Sequence, residues 1–158
     1  METNSTAELT GTNSLRSYQG GYFRVLVSPE QTAGTIALVD MTLPRGAEPP
    51  MHFHSREDEV FYVLEGTLSF VIGGSASIVT AGNAIFAPRN VPHRFGIESD
   101  TARFLNLLTP GDFYYYFMES SVAVVGQPTI TPPQGPPPPA VIERLTSLLN
   151  DKYGVYLS

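Results

Sequence analysis

Short β-rich runs separated by turn residues follow one another through most of the chain, and this alternation limits the possible folds more than any other feature. The runs cover residues 22–27, 35–43, 59–64, 67–72, 76–80, 84–87, 93–97, 102–109 and 113–118. Glycine, proline, asparagine and serine stand between them, for example Gly-Gly-Ser at 73–75. Runs of this length and spacing are typical of antiparallel sandwiches and barrels, and no alternation of strands with helices interrupts them. The sequence therefore predicts an all-β fold.

The two ends of the chain differ from this central region. Residues 1–20 are polar without periodicity and are predicted to form a flexible arm before a β-barrel at 21–127. Seven of the fourteen prolines lie in 128–139, which predicts an extended, semi-rigid strap. Residues 140–158 are predicted to form a helix and tail that pack on the barrel. The apolar positions with helical spacing are Val141, Ile142, Leu145, Leu148 and Leu149.

Composition excludes several classes of function. A length of 158 residues indicates one domain, and a net charge of −6 without a basic run argues against nucleic acid or an anionic membrane as partner. No apolar run is long enough to span a bilayer and the start has no features of a signal peptide, so a cytoplasmic location is expected. The absence of cysteine excludes disulfides and thiolate ligands. A single lysine, Lys152, argues against a catalytic lysine or a phosphate-binding loop.

The three histidines of the chain fall into one arrangement with a glutamate. His52 and His54 are two residues apart and project to the same face of an extended strand. Glu59 and His93 each share the core-facing parity of their strands. Four titratable groups inside a barrel are costly unless something pairs them, which favours a bound metal ion. Three imidazoles and one carboxylate suit a divalent transition metal, here Fe, Mn, Ni, Co, Cu or Zn.

Other side chains surround this group. Glu57 and Asp58, next to Arg56, are predicted to lie in the loop or to support the ligands by hydrogen bonds. Three phenylalanines are candidates to line an apolar substrate pocket, with core packing as the alternative: Phe61, Phe70 and Phe95. The aromatic run at 113–117 is too apolar for a solvated strand and is predicted to contact another subunit.

Two stretches carry a family resemblance. Residues 46–66 read Gly, five residues, His-Phe-His, four residues, Glu, six residues, Gly, and this matches the first cupin motif at every fixed position. Residues 82–93 read Gly, five residues, Pro-Arg-Asn, two residues, His, and they resemble the second cupin motif. Asn90 stands where the family usually has Gly, and Ile97 stands where it usually has Asn. Asn tolerates a positive φ better than most residues, so we expect the turn at Asn90 to be kept.

The resemblance implies a double-stranded β-helix, the jelly-roll barrel of the cupins, with the metal on His52, His54, Glu59 and His93. It also implies a homodimer. Residues 49–66 are similar, more narrowly, to single-domain quercetinase-like cupins, which also end in a proline-rich strap, a short helix and a Lys-Tyr-Gly segment, here at 152–154. That similarity implies a dioxygenase that cleaves a flavonol-like or related aromatic enol substrate with O₂, with Glu59 as both ligand and general base.

Two other functions remain open at this point. A metal-containing cupin without turnover would bind a small molecule as a sensor or storage module. A sugar isomerase or epimerase is the weaker alternative, because a chain with only Lys152 and an aromatic interior supplies few groups that recognise polyols or phosphates.

Overall fold

Strands account for most of the regular structure in the computed structural model, which describes residues 14–158. The strands of this part of the chain are β1 Arg16–Tyr18, β2 Gly21–Val27, β3 Ala37–Pro44, β4 His52–His54, β5 Asp58–Glu65, β6 Thr67–Ile72, β7 Ser75–Thr80, β8 Ala84–Ala87, β9 His93–Ile97, β10 Thr101–Thr109, β11 Val122–Ala123 and β12 Val155–Leu157. The α-helices are α1 Tyr114–Glu119 and α2 Pro139–Leu148. A 3₁₀ turn at Pro29–Thr32 and a π turn at Leu149–Tyr153 complete the elements.

The strands form two antiparallel sheets. The seven-stranded sheet has the order β11-β1-β2-β3-β10-β5-β8, and the five-stranded sheet has the order β12-β4-β9-β6-β7. Consecutive strands often belong to different sheets, so the chain winds between the two layers and encloses the core between them. The predicted all-β fold with a short helix near the C-terminus is confirmed.

Alternation along the strands determines which side chains enter the core. In β5, Glu59, Phe61 and Val63 are buried, and in β9 the same holds for His93 and for every second residue after it. The residues between them face outward and are more exposed. This period of two places the polar residues Glu59 and His93 inside, together with the apolar core, as the parity of the sequence predicts.

The predicted strand at 113–118 is wrong, because this segment forms helix α1. Backbone N–H groups donate to carbonyls three residues earlier, beginning with Tyr114 to Gly111. Aromatic residues favour strands, but tertiary packing overrides that preference here. The aromatic side chains of the run that are buried within this chain are Phe113, Tyr114, Tyr116 and Phe117. Packing inside the chain therefore accounts for most of the run that was predicted to contact another subunit.

The predicted N-terminal arm is too long. Residues 1–13 lie outside the described residues, but β1 pairs with β2 on one side and with β11 on the other. Arg16 secures this strand, since its guanidinium donates to the Ser121 hydroxyl at 2.7 Å and to two backbone carbonyls. The sheet therefore begins at Arg16, before the predicted barrel boundary at residue 21.

The C-terminal segment packs on the barrel mainly through its tail. No residue of α2 is fully buried, and this helix meets the barrel core only at its last residue, Leu148. Leu148 and Leu149, where α2 gives way to the π turn, reach the core cluster. Beyond them Tyr153 and Val155 are buried, and β12 pairs with β4 next to the histidines. Of the helix and tail that were predicted to pack on the barrel, the tail makes most of the contacts.

Helix length is also informative about membranes. Within residues 14–158, no helix is long and apolar enough to cross a bilayer.

Candidate metal centre

The three histidines and Glu59 come together between the two sheets. His52 in β4 lies directly opposite His93 in β9, in the five-stranded sheet. Glu59 projects from β5 in the other sheet. One possible ligand atom from each of His52, His54, Glu59 and His93 lies within 4.8 Å of the others, and His52 is the only one of the four that is not fully buried. The structure thus brings together all four residues predicted as ligands.

One carboxylate oxygen of Glu59 is the centre of the group. Its Oε2 atom lies 2.9 Å from Nε2 of His93 and 3.3 Å from Nε2 of His54. The rings of His52 and His93 are neighbours, with centroids 4.6 Å apart. The Nε2 atoms of His54 and His93, the His52 ring and the Glu59 carboxylate therefore surround one small volume.

The other ring nitrogen of each histidine is already engaged. The Nδ1 contacts are His52 with the Pro50 carbonyl at 2.8 Å, His54 with Glu57 Oε2 at 3.3 Å, and His93 with the Val91 carbonyl at 3.0 Å. Carbonyl oxygens and carboxylates only accept hydrogen bonds, so each Nδ1 carries the proton that it donates. The lone pair of each neutral ring is then on Nε2, and the Nε2 atoms of His54 and His93 face Glu59. This donor set fits a divalent transition metal with nitrogen and oxygen ligands.

The pKa values reflect a balance between burial and charge. Burial, assisted by repulsion from His54, lowers the pKa of His52 to about 4. Burial alone would lower the pKa of His54, but the carboxylates of Glu59 and Glu57 raise it. Burial alone would raise the pKa of Glu59, but His54 and His93 lower it to about 2. Glu59 is therefore ionised at neutral pH and needs a cationic partner, which can be protonated imidazole or a metal ion.

Glu57 and Asp58 support the site from outside the ligand set. Glu57 is 2% exposed and accepts from His54. Asp58 accepts from the backbone N–H of Arg89 at 2.8 Å and pairs with its guanidinium at 2.9 Å. This pair fastens β5 to the turn that leads into β9. Glu57 has the supporting role that the sequence predicts, whereas Asp58 lies in β5 and bonds to Arg89 and not to a ligand residue.

The two departures from the second motif are accommodated differently. Asn90 adopts a φ of 62°, so the expected turn is kept, and its N–H donates to the His54 carbonyl at 2.7 Å. Ile97 packs in the core, and its N–H donates to the Glu48 carboxylate at 2.9 Å. Asn90 thus connects the two motif segments through the backbone.

The three candidate pocket phenylalanines form an aromatic layer beside the ligands. Phe61 and Phe95 each lie two residues along the same strand face from a ligand residue. The ring centroids of Phe61 and Phe70 are 5.1 Å apart, and those of Phe61 and Phe95 are 5.8 Å apart. All three rings are buried and in contact with one another. Their role in binding a substrate stays a prediction.

Sequence reasoning missed two residues at this site. Asn106 is 1% exposed, and its amide nitrogen lies 3.3 Å from Glu59 Oε1. Phe113 places its ring edge-on to His54, with centroids 4.6 Å apart. Asn106 has the buried parity of β10, so a polar residue at an inward position was the available signal. Phe113 had no comparable signal, because it depends on how α1 folds back on the barrel.

Known proteins resemble this chain over part of its length. Quercetin 2,3-dioxygenase of Bacillus subtilis (strain 168) is 27% identical over 90 residues, which are 57% of this chain and 27% of that protein. Polyketide synthase CurC of Streptomyces cyaneus is 28% identical over 94 residues, 58% of this chain and 61% of that protein. The chain thus covers less than two thirds of the length of either relative.

A family model and a solved structure identify the fold. Residues 39–108 match the model of the cupin domain, a range that contains all four residues of the candidate metal centre. The crystal structure of an RmlC-like cupin from Shewanella frigidimarina NCIMB 400 superimposes with a TM-score of 0.55 and 23% identity, over 73% of this chain and 96% of that one. Residues 39–108 therefore match the cupin domain, and the chain has the cupin fold.

Proposed function

We propose that the protein is a metal-dependent dioxygenase that cleaves a flavonol-like or related aromatic enol substrate with O₂. The observation that carries this proposal is the grouping of three imidazoles and the Glu59 carboxylate within ligand distance of one another, with every Nδ1 already committed as a donor. The similarity to quercetin 2,3-dioxygenase over 90 residues supports the choice of substrate class.

His52, His54, Glu59 and His93 would hold one divalent transition metal, whether Fe, Mn, Ni, Co, Cu or Zn. The ion would supply Lewis-acid chemistry, since it polarises a substrate oxygen and gives O₂ and substrate a common template. The protein contributes the fixed orientation of the ligands. The hydrogen bonds that each Nδ1–H donates keep the three rings in the required tautomer.

Glu59 also has a proton-transfer role in this proposal. Its low pKa depends on the positive charge of His54 and His93. When these rings are neutral, a bound metal ion would supply the positive charge that favours the carboxylate, whereas burial would favour the protonated carboxyl. Glu59 would then accept the proton of a substrate hydroxyl on its carboxylate and so act as general base.

Aromatic side chains would exclude water from the reaction. Phe113 covers one side of His54, and Tyr153 stands edge-on to Phe113 with centroids 5.9 Å apart. On the other side, the layer of Phe61, Phe70 and Phe95 would give the substrate an apolar contact surface. A site with little water strengthens electrostatic interactions with the ligand.

One observation favours a second candidate, a metal-containing cupin that binds a small ligand without turnover. Phe61, Phe70 and Phe95 pack closely against one another, so the space between them is filled by their own rings. A flavonol with three rings would require them to move, whereas a smaller ligand would not. The two candidates thus differ in substrate size and in O₂ consumption.

The deciding experiment measures turnover with defined metals. Metal-free protein is loaded separately with Fe, Mn, Co, Ni and Cu, and quercetin absorbance is followed together with O₂ uptake. We expect equal consumption of both with at least one metal, and its loss in Glu59→Gln but not in the control Glu143→Gln on the exposed helix α2. If neither quercetin nor O₂ is consumed with any metal, the dioxygenase proposal fails and the binding candidate is favoured.

Two further sequence expectations stay predictions. A homodimer would be detected by sedimentation equilibrium of the full chain. A cytoplasmic location would be tested by fractionation of cells that express it.

A further inference from the structure

A single polar side chain lies between the ligand group and the aromatic layer. Asn106 is in the middle of β10, directly opposite Val39 on one side and Phe61 on the other. It shares the inward face of the strand with Phe104 and Leu108 and is 1% exposed. An amide in such surroundings is costly unless its hydrogen bonds are made.

The orientation of this amide follows from its neighbour. Among residues 14–158, the Asn106 side chain forms one hydrogen bond, in which Nδ2 donates to Glu59 Oε1 at 3.3 Å. The Asn106 oxygen has no partner there. A flipped amide would set its oxygen against a carboxylate, which accepts only, so the nitrogen must face Glu59. The amide oxygen of Asn106 is thus unused in the core, and the amide nitrogen holds Glu59.

The two oxygens of Glu59 consequently have different partners. Oε1 accepts from Asn106, which lies in the same seven-stranded sheet as Glu59. Oε2 points toward the five-stranded sheet, to Nε2 of His93 and His54. Fixing one oxygen of a planar carboxylate restricts rotation about the last side-chain bond, which is otherwise loosely defined. The direction of the other oxygen is restricted with it.

We infer that Asn106 is a positioning residue, whose amide N–H holds Oε1 of Glu59 so that Oε2 is presented to the metal. The inference rests on the proposed metal binding, and it is independent of whether the protein turns over a flavonol. It adds a fifth residue, on a strand outside both cupin motifs, to the four that supply ligand atoms. Its effect on the metal is exerted through Glu59.

The test measures metal affinity and ligand geometry with Co²⁺ as probe. Purified full-length protein, the Asn106→Leu variant and the Asn106→Ala variant are titrated with Co²⁺ against a competing chelator, and visible spectra are recorded. Groups that orient metal ligands typically contribute about 10–100-fold in affinity. We expect a loss in that range for both variants, together with a changed Co²⁺ absorption band, since the band responds to the direction of the Glu59 carboxylate.

Phe104→Leu is the matched control. Phe104 lies two residues away on the same face of β10, is equally buried and contacts the aromatic layer, but it forms no hydrogen bond with Glu59. It should leave both affinity and spectrum unchanged. Asn106→Ala keeps the test valid if the larger leucine prevents folding.

Three results would overturn the inference. Asn106 variants that bind Co²⁺ like the wild type with the same spectrum would show that Asn106 does not orient Glu59. An equal loss in Phe104→Leu would show that core packing in general, and not the amide, is responsible. A wild-type protein that binds no Co²⁺ would reject the metal site itself, and the inference with it.

Discussion

The Nδ1 atom of His54 lies 3.3 Å from Oε2 of Glu57, and both side chains are almost completely buried. His54 is the only one of the three histidines whose Nδ1 partner is a carboxylate, because His52 and His93 use backbone carbonyls. A carboxylate partner makes the ring a better donor of electron density to a cation than a carbonyl does. Glu57 thus supports the site through His54, although it is not one of the four residues that offer ligand atoms.

Replacing Glu57 by alanine should weaken metal binding without abolishing it. His54 would lose the group that keeps its proton on Nδ1, and about 10–100-fold in affinity is expected to be lost. Competition between the protein and a chelator for Co²⁺ measures this. The exposed variant Glu143→Ala removes the same charge at a distance and should have no effect. Unchanged affinity in Glu57→Ala would contradict a supporting role.

Removing a ligand should have a larger effect. His52→Ala and His93→Ala each leave at most three of the four ligand atoms, so the metal content after dialysis should fall close to zero. Elemental analysis of the purified variants provides the measurement. Arg94→Ala, next to His93 but on the exposed face of β9, is the control and should retain its metal. Stoichiometric metal in both histidine variants would mean that the ligand assignment is wrong.

Much of the ligand set could be predicted from the sequence because strand alternation is a local property. The parity of Glu59 with Phe61, and of His93 with Phe95, is enough to direct these side chains inward whatever the details of the barrel. Spacing within the two motifs then places the ligands near the same end of their strands. The structure adds the distances and the identity of each Nδ1 partner.

Features that depend on distant segments could not be predicted in this way. The aromatic residues of α1 have strand preference, and only packing against the barrel selects a helix there. The apolar stripe of α2 indicates a helix correctly but not what covers it, and no residue of that helix is buried. Asn106 interrupts an apolar inward face, and its contact with Glu59 depends on the register between β10 and β5.

A second ionic group, around Asp40 in β3, should make the stability of the fold depend on pH. Asp40 is 5% exposed and lies between Arg24 and Arg103, at 3.0 and 2.8 Å. Burial alone would raise the pKa of Asp40, but the hydrogen bonds and charge of Arg103, assisted by Arg24, lower it below 3.8. The carboxylate therefore stabilises the fold above about pH 4, and this contribution is lost as the pH falls through the lowered pKa.

Asp40→Asn should reduce the free energy of unfolding at pH 7 by about 1–3 kcal/mol, the usual cost of leaving a buried charged hydrogen bond unmade. Urea unfolding at pH 7 and at pH 3 measures the effect, and the difference between wild type and variant should shrink at pH 3. The exposed Asp100 gives the control variant Asp100→Asn. A difference that grows with acidification would contradict the sign of the Asp40 contribution.

The glycine that ends the first motif should tolerate alanine poorly. Gly66 has a φ of +84°, and an added Cβ would lie 2.6 Å from the Ser99 hydroxyl and 2.7 Å from the Thr101 carbonyl. Gly74 has the same φ of +84° with nothing within 4 Å of the added atom, so it isolates the backbone cost from the steric cost. Both alanine variants should lose about 1 kcal/mol for the left-handed conformation. Gly66→Ala should lose a further ~1–3 kcal/mol by overpacking.

Thermal and urea unfolding of Gly66→Ala and Gly74→Ala side by side would separate the two costs. Because Gly66 lies between β5 and β6, the added methyl group has to push against the backbone at Thr101, which opens β10 and cannot move without disturbing its pairing with Pro44 of β3. We therefore expect the Gly66→Ala variant to unfold at a clearly lower temperature than Gly74→Ala. Equal losses in the two variants would mean that the turn relaxes freely and that only its φ requires glycine.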